Sequence, residues 1–211
     1  MADTSDKSLT NSKDNKEQTN STPDPELLIK HPLQNSWTLW FYKNDRSRNW
    51  EENQRKIITF CSVEDFWALY NHIEPSSKLL SGCDYSLFKE GIKPMWEDAK
   101  NNRGGRWLIN LDKKQRINCL DNFWLEVMLC LIGETFGDGS QYVNGAVVQV
   151  RGKGDKIGIW MGDSTKGDCI LAVGKRVKET LGIDSKTPLG FEAHHDSMKK
   201  SGSTAKNRFI V

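Results

Sequence analysis

The sequence has no long apolar run. Its longest, Phe123 to Ile132, is interrupted by Glu126 and falls well short of the roughly 20 residues a membrane-spanning helix needs. A membrane protein is therefore excluded as a reading. The opening MADTSDKSLTNSKDN has no apolar core, so no secretory signal is expected. The expected location is the cytoplasm, with the nucleus as a second compartment. Cysteine is sparse: Cys61, Cys83, Cys119, Cys130 and Cys169 are scattered, odd in number and form no C-x-x-C pair. Reduced thiols fit this better than a disulfide framework. There is no G-x-x-x-x-G-K-[ST] phosphate loop, no G-x-S-x-G and no Cys/His spacing of a metal site. His194 and His195 are adjacent, which makes them diverge on a strand, and no Cys or acid stands at ligand distance in sequence. Catalytic residues, a metal and a cofactor are all expected to be absent.

The 211 residues suit one domain with or without a tail. Mean hydropathy is −0.64. The net charge of +2 is uneven: residues 1–28 hold three Lys against six Asp or Glu, leaving +5 on the rest. Residues 1–28 have no aromatics and few large apolar side chains, and are expected to be a disordered tail before a folded domain at 29–211. A mildly basic body is compatible with an anionic ligand. What stands out is eight tryptophans, at 37, 40, 50, 67, 96, 107, 124 and 160. Tryptophan belongs in cores and interfaces, and eight exceeds the evident need of a core this size.

Ser36–Tyr42 alternates as a strand, with Trp37, Leu39 and Phe41 on one face. Lys43–Asn49 reads as a polar loop ending in Trp50. Further strands are expected at Ile57–Cys61, Asp84–Phe88, Arg106–Leu111, Gly145–Arg151, Lys156–Met161, Gly190–Ala193 and Arg208–Val211. A helix starts after Ser62 as N-cap and runs to about His72. Two more are expected at Leu120–Glu134 and Ala172–Leu181, the latter ended by Gly182. Strands separated by hairpin-like turns, with fewer helices, argue for an antiparallel sheet with helices on one side, an α+β fold.

Trp50 and Trp96 are the tryptophans least easily explained as core: one ends a polar loop, the other precedes Glu97-Asp98. Alone, either is more often structural than not. Paired, two indoles form a slot for a flat ring, and a cationic ring gains attraction from both faces. Glu97 beside the slot can accept two parallel N–H bonds from the Watson–Crick edge of guanine, strengthened by charge. Arg106, Arg151, Lys153 and Lys156 are candidate partners for an anion. A turn carrying lysines is also a common solvated hairpin, and pattern alone leaves that open.

At this point the sequence resembles the eukaryotic translation initiation factor 4E family. The resemblance rests on His31-Pro32-Leu33-Gln34-Asn35, Trp37, Trp40-Phe41 and Lys43-Asn44-Asp45, then on Val63 to Ile73 and on Gly91-Ile92-Lys93-Pro94-Met95-Trp96-Glu97-Asp98. Arg103 to Trp107, Leu129 to Glu134, Gly145 to Val148, Lys153 to Ile157 and Ser201 to Phe209 extend it from His31 to Val211. It implies a single curved antiparallel sheet of eight strands with three helices on the convex face and a ligand slot on the concave one. It implies that Trp50 and Trp96 sandwich 7-methylguanine, that Glu97 reads its N1 and N2 edge, and that Trp160 packs on the N7-methyl group. Arg106, Arg151 and Lys156 would hold the triphosphate. Capped mRNA would be the ligand, with 7-methyl-GTP as its minimal form.

The helix after Ser62 can face the sheet with Phe66, Leu69, Tyr70 and Ile73, leaving Val63 and Trp67 displaced from that stripe. Pattern alone favours a wide core face. The resemblance instead implies that Val63, Trp67, Glu126 and Leu129, with His31, Pro32 and Leu33, form a groove for a partner helix carrying Tyr-x-x-x-x-Leu-Φ. The partners would be the scaffold factor 4G and the 4E-binding repressors. Ser203 resembles a regulatory phosphorylation site. The segments 161–171 and 191–197 depart from the family pattern, and Gln149 stands where the family often has Asn. Tolerance of extra methyls on guanine N2 stays open.

Three rivals remain. A decapping hydrolase would need carboxylate-held metal ions or a poised nucleophile, for which no motif is present. A decoy that binds a cap but not the scaffold is opposed by the complete groove set. A plain single-strand RNA binder with stacking tryptophans would ignore N7 methylation.

Overall fold

Alternation along the strands decides which face of the sheet each residue joins. The structure, a computed structural model, describes residues 29–198 and 207–211; the expected tail at 1–28 and Ser203 lie outside them. Within them the chain runs β1 (Pro32–Tyr42), α1 (Trp50–Asn53), β2 (Gln54–Ser62), α2 (Val63–Tyr70), β3 (Asp84–Lys89) and β4 (Gly105–Leu111). It continues with α3 (Lys113–Asn118), α4 (Leu120–Ile132), β5 (Val143–Gln149), β6 (Asp155–Met161), α5 (Gly167–Thr180), β7 (Gly190–Ala193), α6 (His194–Met198) and β8 (Phe209–Ile210). The strands form one curved sheet in the order β2-β1-β3-β5-β6-β4-β7-β8. Every neighbouring pair is antiparallel.

On one face, Trp37 and Leu39 of β1, Leu87 of β3, Trp107 and Ile109 of β4, Ala146 and Val148 of β5 and Ile157 and Ile159 of β6 are buried in the main core. Alternate positions share a face on a pleated strand, so these residues define the helix-covered side. Phe66 of α2, Trp124, Val127 and Leu131 of α4, and Ile170, Val173 and Val177 of α5 pack into the same core. The residues between them, such as Ser86, Arg106, Leu108, Val147, Gln149, Gly158 and Trp160, belong to the other face, and they line a cleft. There a second, smaller apolar cluster of Phe88, Ile92, Val147 and Trp160 forms.

The caps follow local sequence. Ser62 accepts from the Asp65 N–H at 3.2 Å and opens α2. Gly182 follows α5 at φ 61°, a left-handed position glycine adopts without strain. Gly174 lets α5 approach the sheet: a Cβ there would lie 2.4 Å from the Trp107 ring. The Trp107 indole also donates to the Ile170 carbonyl at 3.1 Å, which helps explain why α5 begins at Gly167 rather than Ala172. Three helices reach eight residues or more, as expected; α1, α3 and α6 are short additions that periodicity did not indicate. Arg151 lies just beyond β5 rather than at its end.

Candidate ligand site

Trp50 is the first residue of α1. Asn49 caps that turn in a reciprocal box, accepting from Glu52 N–H at 2.8 Å while its own N–H donates to the Glu52 carboxylate at 3.2 Å. Buried Asn53 then ties the turn back to the loop through the Asp45 carbonyl at 2.9 Å. So Trp50 does not merely end a loop: it is held on a fixed turn, with the Tyr42 ring 6.3 Å away. Trp96 sits on the segment joining β3 and β4. Fully buried Asn101 fixes that segment, donating to the carbonyls of Lys93 at 2.9 Å and Met95 at 2.8 Å. Asn144 of β5 donates to the Asn101 side-chain oxygen at 2.9 Å and anchors it to the sheet.

Both indoles are exposed, Trp50 at 45% and Trp96 at 39%. Neither is core, and both line one cleft of about 360 Å³. Glu97, Trp160, Arg106 and Arg151 line it too. Trp160 is buried, with its ring edge-on to Phe88 at 5.6 Å and 4.3 Å from the His194 ring. The Trp96 indole N–H donates to the Glu97 carboxylate. Six of the eight expected ligand residues therefore come together. Lys153 and Lys156 do not line the cleft; Lys156 shares the strand face of Gly158 and Trp160 by alternation and is exposed.

The two arginines differ. Arg151 spends its fork on Asp84, with Nη2 donating to Oδ2 at 3.0 Å. Burial pushes the Asp84 carboxyl up against the pull of Arg151, and the pair raises the arginine further. Arg106 stands opposite Trp160 on one side and Glu192 on the other. It faces Glu192 at 3.5 Å, and its buried Nε has no hydrogen-bond partner among the described residues. An arginine with an unspent donor suits an incoming anion. Burial, then the Arg106 charge, lowers His194 to about 4.

The second expected surface is built on α2 and α4. The His31 carbonyl accepts from Val63 N–H at 3.0 Å, and the Glu64 carboxylate meets both His31 N–H at 2.8 Å and Nδ1 at 2.6 Å. This fixes His31, Pro32 and Leu33 to the start of α2. Trp67 is 38% exposed and packs edge-on against Phe66 and Tyr70. Exposed Glu126 and half-buried Leu129 stand on α4. Among the described residues no group of three His, Cys, Asp or Glu could hold a metal ion, and no helix is long and apolar enough to cross a membrane. His194 and His195 open α6 rather than lying on a strand; His194 is buried and His195 exposed. The five cysteines are free.

Sequence reading missed Asn49, Asn53 and Asn101, which position the site, and Asp84, which lines the cleft and holds Arg151. Only Asn49 had a local signal, the Asn-x-x-Glu capping box.

The family model described as eukaryotic initiation factor 4E matches residues 32–209. A eukaryotic translation initiation factor 4E from Aplysia californica is 59% identical over 189 residues, covering 90% of this chain and 88% of its own. The structure of Ascaris suum eIF4E-3 with the m2,2,7G cap superposes with a TM-score of 0.82 at 49% identity, covering 87% of this chain and 99% of that one. Caenorhabditis elegans eIF4E-3 with the 4E-binding protein Mextli and a cap analog gives 0.79 at 45% identity, covering 87% and 100%.

Proposed function

Because this chain belongs to the eukaryotic initiation factor 4E family, we propose that it binds the 7-methylguanosine cap of mRNA and recruits the scaffold factor 4G to start cap-dependent translation. It is a binding protein, not an enzyme. The observation that carries this reading is the pair of exposed tryptophans, Trp50 and Trp96, sharing one cleft with Glu97 and two arginines.

Methylation at N7 gives guanine a fixed positive charge. Between two indoles that charge is attracted to both ring faces, by about 2 kcal/mol where water is excluded. Neutral guanine keeps the ring and the hydrogen bonds but loses most of this term. Glu97 accepts from N1 and N2 of the base, after releasing the Trp96 N–H. Trp160 offers an apolar floor for the methyl group. Arg106 and Arg151 take the phosphates, and Lys156 adds charge from the same strand face. The 4E-binding repressors compete with the scaffold for the surface of His31, Pro32, Leu33, Val63, Trp67, Glu126 and Leu129. The same reading assigns the protein to the cytoplasm, with the nucleus as second compartment.

Tryptophan fluorescence quenching by 7-methyl-GTP against GTP tests the reading. The methylated nucleotide should bind at least about tenfold more tightly. That margin should collapse in Trp96→Ala, and both Trp96→Ala and Glu97→Ala should weaken binding of the cap nucleotide. Equal binding of the two nucleotides by the intact protein would defeat it and favour a methylation-blind RNA binder.

A further inference from the structure

The turn between β5 and β6 carries Arg151 and Lys153 and leads into Lys156 of β6, yet it has two glycines, Gly152 and Gly154, and little to stiffen it by itself. What stiffens it comes from α3. Arg116 projects from that helix and grips Asp155, with Nε donating to Oδ2 and Nη2 to Oδ1, both at 2.6 Å. The same Nη2 donates to the Arg151 carbonyl at 2.5 Å. Asp155 in turn accepts from the Arg151 backbone N–H at 3.0 Å. The Asp155 side chain is wholly buried, whereas Arg116 is 22% exposed. The backbone of Arg151 is thus held on both its N–H and its carbonyl, and its side chain is held separately by Asp84.

The helix that supplies Arg116 is placed for this. Leu111, the last residue of β4, lies directly across the ladder from Asp155. Asp112 follows and caps α3, accepting from Gln115 N–H at 2.8 Å, while Gln115 reaches back to Asp112 N–H at 2.8 Å. Arg116 is the next residue. It does not line the cleft.

We propose that Arg116 is a positioning residue for phosphate: through Asp155 and the Arg151 carbonyl it holds the turn from Arg151 to Asp155, and with it Arg151, where that arginine meets the ligand's phosphate chain. The inference rests on the cap-binding reading and extends it to a residue outside the slot. A guanidinium is required because one side chain must serve two carboxylate oxygens and a carbonyl at once; an ammonium is a point charge without that fork. Loosening the turn leaves the indole slot and Glu97 intact, so the cost should scale with the ligand's phosphates and spare its base.

The test compares 7-methylguanosine with 7-methyl-GTP, by tryptophan quenching, on the full chain and on Arg116→Gln, Arg116→Lys and Lys114→Gln. The gain in affinity from adding the triphosphate should fall about tenfold in both Arg116 variants, on the scale of a lost charged hydrogen bond. Nucleoside affinity should stay put. Lys114→Gln removes one positive charge from the same helix without touching Asp155 and should behave as the parent. Recovery by Arg116→Lys, or an equal loss in Lys114→Gln, would show that bulk charge suffices and overturn the proposal. So would a proportionate loss for nucleoside and triphosphate. If Arg116→Gln does not fold, Arg116→Lys is read alone. A parent protein that ignores N7 methylation overturns the cap-binding reading itself, and this inference with it.

Discussion

His194 carries a polar burden the slot depends on. Its ring lies against Trp160, its residue is almost wholly buried, and its Nε2 has no hydrogen-bond partner among the described residues. Burial and the Arg106 charge hold its pKa at about 4, below the unperturbed 6.5. The unfolded chain therefore takes up a proton first as pH falls. This contribution to stability is whole above about pH 6.5, shrinks between 6.5 and about 4, and is gone below that. The span corresponds to about 3 kcal/mol at most. Urea denaturation across that range should show a decline in stability that His194→Gln flattens; an unchanged slope would count against the assignment. At this scale the sequence was legible for aromatic and cationic groups, because the chemistry of a cationic flat ligand names them. It was not legible for Asn53, Asn101 or Asp84. Asp84 and Asn101 bond partners far away in sequence, Arg151 and Asn144, while Asn53 closes an irregular loop onto the Asp45 carbonyl, and no periodic spacing encodes either.

The elements tell a similar story. Ser62 and Gly182 marked helix ends because capping is local chemistry. Strand alternation placed Trp37, Leu39 and Phe41 together. α1 and α3 escaped because a helix of one or two turns has no apolar period, although Asn49-x-x-Glu52 and Asp112-x-x-Gln115 are both capping boxes. α5 started five residues before its expected start because Ile170 is drawn into the core beneath Trp107, a tertiary effect. α2 shows the converse: pattern alone favoured a wide core face, yet only Phe66 of the expected stripe is buried and Trp67 is exposed, as the family resemblance implied. Trp67 is held by Phe66 and Tyr70 yet presents over a third of its surface. Trp67→Ala should weaken binding of a Tyr-x-x-x-x-Leu-Φ peptide about thirtyfold, the scale of a tryptophan hot spot. Calorimetry with that peptide checks it, and 7-methyl-GTP affinity should not move.

Across the whole molecule the sheet divides labour. One face is given over to the helices and the main core; the other keeps only the small cluster around Trp160 and otherwise lines the cleft. Stability and recognition therefore rest on different side chains of the same strands, and a change such as Trp96→Ala should leave the fold intact. The +5 charge of residues 29–211 adds a long-range pull on a triphosphate. Raising salt from about 50 to about 500 mM should weaken 7-methyl-GTP binding steeply and 7-methylguanosine hardly at all, because the screening length shortens severalfold. Equal sensitivity of the two would place the salt effect elsewhere.

The bond from Trp96 to Glu97 sets a contest for the acid that an incoming base must win. An N-methylated adenine would bring the same plus charge and the same flat outline, but no pair of donors aimed at the carboxylate. Such a visitor would have either to leave the acid on its own wall or to prise it away and offer a single amino donor where guanine offers a parallel pair. The choice between purines thus turns on how many donors can be traded for one indole N–H.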